Sequence, residues 1–155
     1  MSVLFRRSRS GAFEVRLGDD ERAVLRQLAS GIAEVIETGD PASGDVALRR
    51  LFPPAYSDDE EKNAEYTRLM YDDLRRSRLA SLALLQESAA AAELTEEQML
   101  AWMGALNDIR LFLGTRLGIT EDMHRVAEDH PQASMFAVYH FLSLLQEEVI
   151  DALRE

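Results

Sequence analysis

The side chains able to do chemistry in this sequence are few, and their spacing restricts them further. The only histidines are His124, His130 and His140, and there is no cysteine. Without thiols there is no cysteine nucleophile, thiolate zinc site, iron–sulfur cluster, disulfide or thiol redox switch. Neither a G-x-S-x-G elbow nor a Gly-rich phosphate loop occurs, so each familiar pairing of nucleophile and base lacks a member. Glu121-x-x-His124 supplies half of a di-iron carboxylate pattern, but such a centre needs a second pair and two further glutamates facing inward. No second pair exists. The sequence therefore predicts no catalytic, metal-binding or cofactor-binding residue.

Arg110 carries a more specific message. It follows Leu106 by four residues and precedes Leu113 by three, which puts a guanidinium at the edge of an apolar helical stripe. A charge there must find a partner. Asp72 and Asp73, on a preceding helix that would pack antiparallel, are the expected carboxylates of an internal ion pair. A ligand-binding role for Arg110, or an enzyme pocket using Arg110 and Asp73, is the alternative. The flank bearing Asp108, Phe112 and Arg116 reads as a contact surface, since an aromatic flanked by charges suits an interface. Phe112 equally suits packing beneath the start of the chain.

The elements that must position these residues follow from periodicity and end signals. Val3, Phe5 and Arg7 mirror Phe13, Val15 and Leu17 across Ser8–Gly11, predicting a β-hairpin over about 3–17 that must lie on something larger. Asp19 or Asp20 offers an N-cap for a helix carrying Val24, Leu25, Leu28, Ile32, Val35 and Ile36, ended by Gly39. A short helix is expected from Asp45 to Phe52, stopped by Pro53-Pro54. Ser57 then caps a long helix, with acidic residues 58–61 at its positive end, running to the alanines 89–92. Thr95 and Gln98 form a capping box ahead of Met99, Trp102, Met103, Leu106, Ile109, Leu113 and Leu117. That helix, with little polar surface anywhere, reads as the central one and stops at Gly118. A last helix runs from about Pro131 through Met135, Val138, Tyr139, Leu142, Leu145, Val149 and Leu153. The expectation is a mainly α single domain over 1–155: an antiparallel bundle of about four main helices plus a short one, with an N-terminal hairpin.

At 155 residues such a domain can bury a sizeable core, and its apolar runs are too short to span a bilayer. The basic residues at the start follow a very short apolar stretch, the reverse of an export signal, so a cytoplasmic location is expected. Lys+Arg 17 against Asp+Glu 28 gives a net charge of −11, which repels a phosphate backbone and opposes direct nucleic-acid binding. The basic clusters Arg6-Arg7-x-Arg9, Arg49-Arg50 and Arg75-Arg76-x-Arg78 are the one footprint such binding would have. Helical spacing scatters the last of these around its axis, which favours separate salt bridges. Arg6, Arg7 and Arg9 remain as a contact surface on the hairpin. The oxidisable sulfur left is methionine, and Met99, Met103 and Met135 are expected on core faces.

The stretches Arg50–Tyr56 (RLFPPAY), Leu69–Arg76 (LMYDDLRR), Trp102–Gly118 (WMGALNDIRLFLGTRLG) with the Ile119–Asp122 that follows, and Tyr139–Glu147 (YHFLSLLQE) together resemble one actinobacterial family. It is the family named for AosR, an oxidative-stress transcriptional regulator. The resemblance spans nearly the whole chain, and the run from Leu106 to Thr120 is its most specific part. It implies a non-enzymatic cytosolic protein that influences transcription by associating with a stress-response sigma factor. Redox control in that family is attributed to a cysteine pair, which this sequence lacks. The rival expectations are an adaptor or structural role in protein turnover, and a small-ligand-binding protein or enzyme with a pocket around Arg110. Homodimerisation stays open.

Overall fold

A computed structural model describes residues 2–40, 44–52, 60–119 and 129–155. Strands β1 (Phe5–Arg7) and β2 (Phe13–Val15) are followed by helices α1 (Asp19–Thr38), α2 (Val46–Leu51) and α3 (Glu60–Ser88). A two-residue strand β3 (Glu93–Leu94) then precedes α4 (Glu96–Leu117) and α5 (Ala133–Arg154). The chain is mostly helical, as expected, with five helices packed on one another and a small antiparallel sheet.

The sheet corrects the two-stranded expectation. Its order is β1-β2-β3, with Phe5 opposite Val15 and Phe13 opposite Leu94. The alanines after Ser88, strong helix formers, were expected to prolong α3. Instead Val15 N–H donates to Ala92 O, and the strand pairing that follows outweighs helix propensity. Phe5, Phe13 and Leu94 are buried on the sheet's inner face, where the Phe5 ring meets Trp102 edge-on at 6.0 Å. Trp102 is buried too, and its indole N–H donates to Ser88 Oγ at 2.7 Å. The Ser88 hydroxyl in turn donates to Leu84 O, so the one hydroxyl serves as acceptor and donor inside the core.

Helix ends agree with the sequence signals in most places. Thr95 and Gln98 form the reciprocal capping box, and Asp45 Oδ1 accepts from the Ala47 and Leu48 amides to start α2. Gly118 ends α4 at φ 68°, a left-handed conformation that disfavours any residue with a Cβ. Helix α1 starts one residue earlier than expected: Gly18 is its cap, with its N–H donated to Glu21 Oε1, and Asp19 and Asp20 lie in the first turn. Ser57 and Pro53-Pro54 lie outside the described residues.

Helix α4 is the centre of the bundle. Met99, Trp102, Ala105, Leu106, Asp108, Ile109, Phe112 and Leu113 are all buried along it, against α2, α3 and α5. In α5 the inward face is Phe136, Leu142, Leu145, Val149 and Ala152. Met135, expected on that face, is 37% exposed, while its neighbour Phe136 takes the inward position in the first turn of α5.

Candidate functional site

Two of the charged residues singled out in the sequence, Asp108 and Arg116, lie where the short helix α2 packs on α4. Helix α2 is clipped at both ends by arginines. At its start, the Asp45 carboxylate that caps the helix also accepts from Arg116 Nη2 at 2.8 Å through Oδ2. At its end, Arg78 Nε of α3 donates to Leu51 O at 3.0 Å. The same guanidinium closes on Asp108 through Nη1, joining α2, α3 and α4. Ala47, Leu48, Leu51 and Phe52 fill the space beneath. The Phe52 ring meets that of Tyr71 of α3 at 4.8 Å, tilted by 55°.

This arrangement corrects several expectations. Asp108 is 3% exposed and Phe112 6%, so neither lies on a free flank; α2 and its neighbours cover them. Arg116 remains partly exposed, with its guanidinium 4.8 Å above the Phe112 ring and bound to Asp45. The internal ion pair exists, but its members are Arg78 and Asp108. Asp72 and Asp73 are exposed on α3, where Asp73 makes a loose contact of 4.0 Å with Arg76. Burial pushes the Asp108 carboxyl from its ordinary 3.8 up to about 6, against the pull of Arg78, which lowers it.

Arg110 turns to α5. Its Nε donates to Ser143 Oγ at 3.0 Å, its Nη1 to Gln146 Oε1, and its guanidinium carbon lies 5.7 Å from the Tyr139 ring centre. Among the described residues it meets no carboxylate. Beside it opens a cleft of about 350 Å³ between α2, α4 and α5, with Arg50, Asn107, Leu111, Ile119 and Tyr139 in its wall. Gly114 shapes that wall: a Cβ there would stand 3.1 Å from Tyr139 Cε2, so glycine lets the ring lie close to α4.

On the hairpin, Arg6, Arg7 and Arg9 are exposed, and Arg7 covers the buried Phe13 ring at 4.6 Å. Two residues unflagged by the sequence anchor this end. Arg22 of α1 donates to the carbonyls of Val15, Leu17, Ala89 and Ala91, tying together the sheet, α1 and the end of α3. Glu148 of α5 accepts from the Ser2 hydroxyl and the Val3 and Leu4 amides. Burial raises its pKa, but the hydrogen bonds from Leu4, Ser2 and Val3 outweigh it, and the carboxyl ends below its ordinary value. An arginine at the fourth position of an amphipathic helix gives no local sign that two of its partners lie 67 and 69 residues away.

His130 Nδ1 accepts from the Gln132 amide at 3.0 Å, and His140 stands against Tyr139, so each has a local role. Glu121 and His124 lie outside the described residues. Among the described residues no helix is long and apolar enough to cross a membrane.

A family model described as a domain of unknown function, DUF2017, matches residues 2–153. Among curated proteins, the oxidative stress regulator AosR of Mycobacterium tuberculosis is 30% identical, over 89% of this chain and 80% of its own length. A putative oxidative stress regulator AosR of Mycobacterium leprae is 33% identical, over 86% of this chain and 67% of its own. No solved structure matches. The match over residues 2–153 and these relatives agree with the resemblance read from the central helix, and the chain belongs to the DUF2017 family that includes the AosR regulators.

Proposed function

We propose that this protein is a non-enzymatic, cytoplasmic regulator of transcription that works by binding a stress-response sigma factor or the RNA polymerase that carries it. The regulatory half of this reading rests on relatives named as oxidative stress regulators. A protein partner is favoured over DNA because the chain's charge of −11 repels phosphate.

The observation that best supports a protein-contact surface is on α3. Tyr66, Leu69 and Met70 are 52%, 63% and 38% exposed. Their spacing of three and four residues places them on one helix face. Large apolar side chains of these types, held out on a rigid helix, suit the desolvated centre of an interface. The flanking charges, Glu65, Arg68 and Asp72, supply a polar rim. This surface replaces the α4 flank, whose Asp108 and Phe112 are buried.

The chain has no thiol, so under this reading the oxidant signal arrives through the partner. Affinity purification of the tagged full chain from its native host tests the proposal. Recovery of a sigma factor or RNA polymerase, reduced by Leu69→Asp, is the expected result. Recovery of protease components in their place would move the protein to a role in turnover.

A further inference from the structure

The cleft beside Arg110 carries local positive charge in an acidic molecule. Among the described residues that line it none is acidic, while Arg110 and Arg50 both face it, in a chain of net charge −11. We propose that it binds a small organic anion, a phosphate ester or carboxylate with an apolar or aromatic body, and that Arg110 and Arg50 hold the charged group.

Arg110 is half-buried, and its partners Ser143 and Gln146 are neutral. They orient the guanidinium without cancelling its charge. Of the five N–H groups a guanidinium carries, those on Nη2 have no acceptor among the described residues. A cation in such a position is completed by an anion from outside. Arg50 stands exposed at the mouth and has no acceptor among the described residues. Its backbone belongs to α2, which the Arg116–Asp45 and Arg78–Leu51 clips hold in place. The second guanidinium therefore approaches from a fixed element.

The C-terminal end of α4 also borders the cleft, and its dipole opposes an anion. That dipole amounts to roughly half a negative charge, against two full positive ones. The carbonyls of Gly114 and Thr115 are moreover occupied by the amides of Gly118 and Ile119. Thr115 donates its hydroxyl to Leu111 O and has no proton left for a ligand, whereas the Asn107 amide and the Tyr139 hydroxyl donate to nothing among the described residues. Leu111, Ile119 and the Tyr139 ring offer apolar wall for the body of the ligand. The volume, about 350 Å³, fits a small metabolite and falls at the lower end of known ligand sites.

Isothermal titration of the full chain with phenyl phosphate, benzoate, inorganic phosphate and neutral benzyl alcohol, at constant ionic strength, tests this. The expected result is saturable binding of phenyl phosphate or benzoate, tighter than inorganic phosphate, with no binding of benzyl alcohol. Arg110→Gln and Arg50→Gln should each weaken it about tenfold or more, the loss expected when one charge-assisted contact goes. Arg50 has no described partner within the protein, so its variant keeps the wild-type melting curve and separates lost binding from lost folding. Absence of saturable binding by both aromatic anions would overturn the proposal. So would unchanged affinity in the two variants, or inorganic phosphate binding as tightly as phenyl phosphate.

Discussion

Replacing Asp108 with asparagine should make the domain more stable at neutral pH than the native residue does, and the gain should vanish in acid. Burial lifts the carboxyl from 3.8 to about 6, so the folded protein holds that proton more tightly than the unfolded chain. In that situation the native state binds more protons, and stability falls as pH rises through the window between the two values. The distance from 3.8 to about 6, at about 1.36 kcal/mol per unit, makes a loss of about 3 kcal/mol that is complete by pH 7. Asparagine keeps the shape and still offers Oδ1 to Arg78, but it never ionises. Urea unfolding of both proteins at intervals from about pH 4 to pH 7 isolates the effect, because every other titrating group cancels in the difference. The difference in unfolding free energy should move by about 3 kcal/mol in favour of asparagine as pH rises. A difference that stays constant, or moves the other way, would mean that the Arg78 charge dominates over burial and that the site is an ordinary ion pair.

Other outcomes follow from the anchors at the opposite end. Arg22→Ala removes four donors from four carbonyls and should cost about 3 kcal/mol in thermal or urea unfolding. Lysine there should restore little of this, since a single ammonium does not span the same fork. Glu148 contributes stability that is present above its unfolded pKa and is lost as pH falls through its lower folded value. Glu148→Gln should therefore weaken that acid-side dependence, and the Val3 and Leu4 amides should exchange with solvent faster. Among the methionines of the described residues, mild peroxide should add oxygen first to Met70 and Met135, 38% and 37% exposed, and leave the buried Met99 intact in peptide mass spectra.

Helix positions were legible because they depend on local signals: the Thr95–Gln98 box, the stop at Gly118 and the Asp45 cap act over one turn. Partners of charged residues were not, because helical spacing places a residue on a face without saying what crosses that face. Asp108 is the instructive case. The residues around it, Leu100, Ala101, Gly104 and Ala105, mark α4 as apolar on nearly all sides, and a central helix buries most of its faces. That signal argued for burial of Asp108 and Phe112. Arg110 was correctly placed at the edge of the core, but the carboxylates sought for it sit in an exposed stretch of α3, and polar side chains of α5 meet it instead. The third strand was invisible for another reason: two residues of sheet carry no periodicity, and the alanines ahead of them argue for helix.

Direct binding of the purified chain to RNA polymerase carrying a stress-response sigma factor tests the central claim. With the chain immobilised and the polymerase titrated by surface plasmon resonance, wild type should bind saturably. Leu69→Asp, at a position 63% exposed, should melt like wild type. It should also bind at least about tenfold more weakly, as expected for a charge placed in an apolar contact. No binding by the wild-type chain, to sigma factor or polymerase, would contradict the regulator reading itself; equal binding by both proteins would remove the α3 face from it.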